Sequence, residues 1–231
     1  MKVTYIGHSG FLVELEETAF LFDYYQGEIP KVEEGKRLYV CVSHRHGDHF
    51  NPEIFKLAAK YSDVWYILSN DIWKSRIPQD CLGRTVSIRP KSKWEDGDIQ
   101  VETLKSTDEG VAFLIQAEGK ALYHGGDLNN WRWEGEAEES NRRMEEHFKQ
   151  FLEPVRGRKI DAAFVPLDPR QEGNYALGMD YFLDLTQAKR VYPMHCWEDY
   201  GIIGRWLDEH PAHPARDRIV QISGRGEEFR Q

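Results

Sequence analysis

A chain of 231 residues and 27.0 kDa is long enough to bury one substantial core. Thirty basic against thirty-nine acidic residues leave a net charge of −9, which disfavours nucleic acid and anionic membrane surfaces as partners. No run approaches the ~18 apolar residues of a membrane span, and the N-terminus lacks the apolar block of a signal peptide. Cys41, Cys81 and Cys196 are too few and too widely spaced for a disulfide framework or zinc knuckle, so the expected setting is a reducing cytoplasm.

In chain order, "KVTYI", "FLVEL" and "AFLFD" alternate as strands between short turns. "RLYVCVS" is apolar nearly throughout, the pattern of a strand buried on both faces. A helix is expected over "NPEIFKLAAKY", with Asn51 at the N-cap and Pro52 at the first helical position. Strands follow at "VWYIL", "TVSIR", "IQVETLKS", "VAFLIQA" and "ALYHG", the last two joined by a hairpin turn at "EGK". Residues 136–153 carry a helical stripe of Ala137, Asn141, Met144, Phe148 and Phe151, flanked by Glu138–Arg142 and Glu139–Arg143 pairs. The remainder alternates: strand "IDAAFVP", a helix near 175–188, strand "RVYPMH", a helix near 201–209, strand "RIVQIS". With no repeat and no linker, the expectation is one α/β domain over residues 1–231, built in layers.

One stretch concentrates chemistry. "VSHRHGDHF", residues 42–50, places His44, His46, Asp48 and His49 in a loop between a buried strand and a capped helix. Imidazole and carboxylate both bind divalent ions, and His44 and His46, two apart in extended chain, project the same way. Asp48 and His49, beyond Gly47, are directed differently and suit a second ion. Two ions ~3.5–4 Å apart form a hydrolytic pair that needs no nucleophilic serine or cysteine. A solvated or helix-capping histidine loop is the bland alternative, and this density of ligand types argues against it.

"HRHGDH" resembles the His-x-His-x-Asp-His motif of the metallo-β-lactamase superfamily, and the likeness extends along most of the chain. The resemblance implies a four-layer αββα sandwich with a dinuclear site at one sheet edge. It implies that His44 and His46 hold one ion, that Asp48, His49 and His195 ("VYPMH") hold the other, and that Asp127 ("HGGD") bridges them. Asp23, ending "FLFD", looks like the aspartate that supports the metal loop from behind. The chain departs from the family pattern where a third histidine for the first ion is expected: "LKSTDEG" has none, leaving Asp108 or Glu109 as replacements and His124 or His8 as groups that approach in space. The opening "YIGHSGFLVE" resembles the branch of ascorbate-6-phosphate lactonase-like hydrolases, which makes His8 a candidate substrate residue.

The implied activity is hydrolysis of an ester, lactone, amide or phosphodiester bond of a small molecule by a metal-bound hydroxide, with Asp48 assisting proton transfer. One or two zinc ions are expected, with manganese or iron admitted by a carboxylate-richer site. Trp131, Trp133 and Arg170 are candidate substrate contacts, although the indoles could instead anchor their loop and Arg170 could pair with Asp168. Cys196 reads as packing beside His195. The rivals are a metal-sensing or structural protein that has lost catalysis, and a di-iron redox protein.

Overall fold

The computed structural model describes residues 1–97 and 99–231. Six strands of the first ninety residues form one sheet: β1 (Lys2–Gly7), β2 (Gly10–Glu14), β3 (Thr18–Phe22), β4 (Arg37–Val42), β5 (Val64–Ser69) and β6 (Thr85–Ile88). β1–β3 pair antiparallel, whereas β3 to β6 run parallel. A second sheet begins with the antiparallel run β7 (Lys93–Asp96), β8 (Ile99–Lys105), β9 (Val111–Ala117) and β10 (Lys120–His124). After a short β11 (Lys159–Ile160) it continues in parallel with β12 (Ala162–Pro166), and, past β13 (Gln187–Ala188), with β14 (Val191–Met194). β11 and β13 make a small separate ladder, and β15 (Glu228–Arg230) returns to pair with β1.

The two-residue period of the strands divides the apolar side chains between two cores. In β4, Tyr39 and Cys41 face the core shared by the two sheets, while Leu38, Val40 and Val42 face the other side of the first sheet. That outer side is covered by short 3-10 segments, Pro52–Ala59 and Gln79–Arg84, through Ile54, Phe55, Leu57 and Cys81. The second sheet shares its core with α1 (Glu138–Leu152), α2 (Leu177–Leu185) and α3 (Gly201–Glu209) through Phe148, Met179 and Trp206. Helix layer, sheet, sheet, helix layer is the four-layer order expected of the chain.

Local differences have local causes. Asn51 caps the first helical segment, its Oδ1 accepting from the Glu53 amide at 3.0 Å. The segment is 3-10 in place of α, and the Tyr66 hydroxyl donates to its Ile54 and Phe55 carbonyls at 3.2 and 3.4 Å. "EGK" is the expected hairpin turn, with Glu118 and Gly119 at φ 50° and 70° as a primed turn requires. "RIVQIS" is not a strand. Ile219 makes one bridge to Val191 and the Val220 amide donates to the Val191 carbonyl at 2.8 Å, and no longer ladder forms among the described residues. In α1, Glu138 pairs with Arg132 and Glu145 with Lys149, in place of the Glu–Arg pairs read from spacing. Among the described residues no helix is long and apolar enough to cross a membrane, and the three cysteines are free and buried.

Candidate metal centre

Five loops meet at one edge of the sandwich: the β1–β2 turn (His8, Ser9), the segment after β4 (Ser43–Phe50), the β8–β9 turn (Ser106–Gly110), and the segments after β10 and β14. Ser43 ties the segment after β4 to the β8–β9 turn, to the segment after β10 and to Asp23. Its amide and hydroxyl donate to Asp23 at 2.7 and 2.6 Å, and its carbonyl accepts from the Val111 amide at 2.9 Å. Gly110 lies so close that a Cβ would fall 1.9 Å from the Ser43 carbonyl oxygen, and at Gly126 it would fall 2.7 Å from the Ser43 Cβ. Both glycines have positive φ, so no side chain fits there on either ground. This contact brings Asp108 and Asp127 to the histidine loop.

Two groups of metal-capable atoms result, each within 4.8 Å: His44, His46, Asp108 and Asp127; and His8, Asp48, His49 and His195. Asp127 stands between them, with Oδ2 3.6 Å from His44 Nε2 and Oδ1 3.1 and 3.4 Å from the Nε2 atoms of His49 and His195. The donor sets suit divalent ions, and so do the orphaned atoms. Nε2 of His8, His44, His49 and His195, together with Asp127 Oδ1, is buried without a hydrogen bond to protein. Leaving such atoms unpartnered costs roughly 1–3 kcal/mol each, so their convergence marks a place prepared for a cation.

The opposite ring nitrogens are held from behind. His49 Nδ1 is 2.7 Å from Asp23, His195 Nδ1 2.9 Å from Asp168, and His44 Nδ1 2.9 Å from the Ser43 hydroxyl. Such contacts fix the tautomer that leaves Nε2 free. His8 is kept neutral down to about 4 by burial, against the upward pull of Asp48. Burial would raise Asp127 and Asp48, but facing histidines outweigh it and hold both carboxyls below their ordinary range. His49 is raised because Asp127 and Asp23 overcome its burial. Asp168 is lowered to about 2, its burial outweighed by His195 and Arg170.

The histidine-loop residues, Asp127 and His195 thus lie together, with Asp23 behind His49. Three expectations are corrected. His8 does not line the adjoining cavity; its Nε2 lies 3.4 Å from Asp48 within the second metal-capable group. Glu109 is outside both groups, its two oxygens held by Arg45 at 2.6 Å each, with Oε2 also 3.6 Å from His46 Nε2. His124 is spent structurally, with Nε2 on the Ser9 carbonyl and Nδ1 accepting from the Gly126 amide. Asp168 matters more than its pairing with Arg170 suggests, since it also orients His195. Trp131 serves two purposes, lining the cavity while its indole N–H donates to the Asp127 carbonyl at 2.9 Å. Cys196 is buried and its thiol is pushed far up by desolvation, consistent with packing.

Comparison with known proteins gives the family and the fold. Residues 2–195 match the family model described as "Beta-lactamase superfamily domain". A "UPF0173 metal-dependent hydrolase" of Carboxydothermus hydrogenoformans is 30% identical over 213 residues, covering 84% of each chain. A UPF0173 protein of Pyrococcus furiosus is 27% identical over 202 residues, covering 84% of this chain and 83% of its own. In fold, the metallo-β-lactamase fold protein YhfI of Bacillus subtilis superposes with a TM-score of 0.67 at 14% identity, over 99% of this chain and 98% of its own. Igni18, a metallo hydrolase of Ignicoccus hospitalis, gives 0.61 at 16% identity, over 100% and 98%. The chain belongs to the β-lactamase superfamily, among the metal-dependent hydrolases that carry this fold.

Proposed function

We propose that this chain hydrolyses an ester, lactone, amide or phosphodiester bond of a small molecule, with ions held by His44, His46, Asp108 and Asp127 on one side and by His8, Asp48, His49 and His195 on the other. The observation that carries this reading is the set of buried, unpartnered Nε2 atoms converging on Asp127. When bound, such ions polarise a carbonyl or phosphoryl oxygen and lower the pKa of water, which is hydrolytic chemistry. Zinc suits these donors, and the carboxylate share also admits manganese or iron.

The chain's own residues supply the rest. Asp127 divides its two oxygens between the groups. Asp48 is part-exposed at the cavity, 3.4 Å from His8 Nε2, where its carboxylate can accept a proton from water and return it to a leaving group. Asp23 and Asp168 hold the rings of His49 and His195 without touching substrate. The cavity holds about 340 Å³, at the small end of the ~300–1,000 Å³ range of ligand pockets, which favours a small substrate.

The test is elemental analysis of protein purified without added metal, together with turnover of matched esters, lactones, amides and phosphodiesters. Two ions per chain and hydrolysis of one class are expected. Asp127→Ala should lower turnover by at least about a hundredfold, as loss of several kcal/mol of charge stabilisation implies. One tightly held ion with no turnover on any class would favour the metal-sensing reading.

A further inference from the structure

Metal binding leaves Trp133, Met144 and Arg170 in the cavity wall without a role. Trp131 and Trp133 stack, 6° from parallel with ring centroids 5.9 Å apart, and Met144 lines the same cavity. Arg170 is the one Arg or Lys among the lining residues described. Its guanidinium carbon lies 4.5 Å from the Trp197 ring and 5.9 Å from the Trp133 ring. Nε and Nη2 donate to Asp168 at 3.0 and 2.6 Å, whereas Nη1 donates no hydrogen bond among the described residues. Pairing with Asp168 accounts for one edge of the guanidinium. It does not account for the flanking indoles or for the free edge of a half-exposed side chain at the cavity. A guanidinium already fixed as a plane loses little freedom on binding, and its planar fork matches a carboxylate.

We propose that Arg170 is the specificity-determining residue of this cavity, and that the substrate is a small aryl ester or amide carrying a carboxylate. The ring would lie against Trp131 and Trp133, and the carboxylate on the free edge of Arg170. This rests on the hydrolase reading above for the bond that is cut, but not for the binding of the carboxylate.

The test separates the two. Binding of benzoate and of benzamide to metal-loaded protein is followed by tryptophan fluorescence. Wild type should prefer benzoate by about tenfold or more, as a charge-assisted bidentate contact implies. The preference should fall to within about twofold in Arg170→Gln and be partly kept in Arg170→Lys. Trp133→Leu should weaken both ligands by about tenfold and leave their ratio unchanged, since both lose the same apolar contact. In turnover, 3-carboxyphenyl acetate should be favoured over phenyl acetate through KM rather than kcat, by the same ratio and with the same dependence on Arg170. Undiminished benzoate preference in Arg170→Gln would overturn the proposal, because the carboxylate would then be held by the metals alone. Equal loss of both ligands would also overturn it, leaving Arg170 as a prop for Asp168 and His195. Discrimination of benzoate without turnover of either ester would uphold the carboxylate site and reject the hydrolase reading.

Discussion

The two halves of the centre are built to different standards. His8, His49 and His195 are at most 5% exposed, whereas His46 and Asp108 are about two-fifths exposed, their side chains at 42% and 40%. The buried half has a carboxylate behind each of two imidazoles, Asp23 behind His49 and Asp168 behind His195. In the open half only His44 is fixed from behind, by a hydroxyl, while His46 meets Asp108 at 3.3 Å on the surface. Preorganised ligands in a dry site bind more tightly than ligands that must be gathered from solvent. If both groups hold ions as proposed, the buried group should keep its ion the more tightly and the open group should exchange its own.

Removing a buried ligand should break that asymmetry most completely. His8→Ala deletes one of three imidazoles from the closed group, while His46→Ala removes one from a site already open. Elemental analysis after brief dialysis against a chelator should find one ion in wild type and in His46→Ala, and none in His8→Ala. Equal retention by the two variants would show that burial does not set the order of affinity. A smaller effect is expected behind the ligands. Asp168→Asn and Asp23→Asn keep the shape but lose the charge that holds Nδ1, and each should weaken the retained ion about 10–100-fold in a competition titration. Ser43→Ala removes the hydroxyl that reaches both His44 Nδ1 and the Asp23 oxygen behind His49, and should weaken that ion less than Asp23→Asn does, because the Asp23 charge remains.

Acid tests the same contrast in the chelated protein. Burial holds His8 near 4, against roughly 6.5 in an unfolded chain. Between those values the unfolded chain binds a proton that the folded chain refuses, so stability present above pH 6.5 is lost as pH falls toward 4. His44 and His124, also lowered by burial, act with the same sign. His49 acts oppositely, its raised value giving stability that is lost only as pH rises above 6.5. Thermal melts from pH 7 to 4 should therefore show falling stability, with His8→Gln reducing the slope by up to one proton. An identical slope in the variant would mean that His8 is solvated rather than buried.

What the sequence made legible follows from distance along the chain. His44, His46, Asp48 and His49 stand in one string, and Asp127 and His195 close their strands with recognisable neighbours. A layered α/β arrangement was readable because strand and helix periods are local, whereas the four-layer order came from the likeness of "HRHGDH" to the metallo-β-lactamase motif. His8 was visible as a residue but not as part of the closed group, since that depends on the His195 amide meeting the His8 carbonyl at 3.2 Å, 187 positions away in sequence. Asp168 has the same history: only the parallel pairing of β12 with β14 sets it behind His195. β15 escaped notice because "EFR" offers one apolar residue, Phe229, whose partner Tyr192 is remote.

Asp108 and Glu109 give the finest test, because adjacent acids in one turn cannot be told apart by composition. Both reach His46, Asp108 at 3.3 Å from Nδ1 and Glu109 at 3.6 Å from Nε2, and the structure separates them through Arg45, whose Nε and Nη2 each also hold a Glu109 oxygen at 2.6 Å. Asp108→Asn should weaken the exchangeable ion by about tenfold or more, since a charged ligand becomes a neutral one. Glu109→Gln removes only a surface ion pair worth ~0–1 kcal/mol and should change affinity for that ion less than about threefold. The reverse order would mean that Arg45 releases Glu109 when the ion arrives. Asp108 and Glu109 would then be alternative ligands, and the openness of this half would serve to let them exchange.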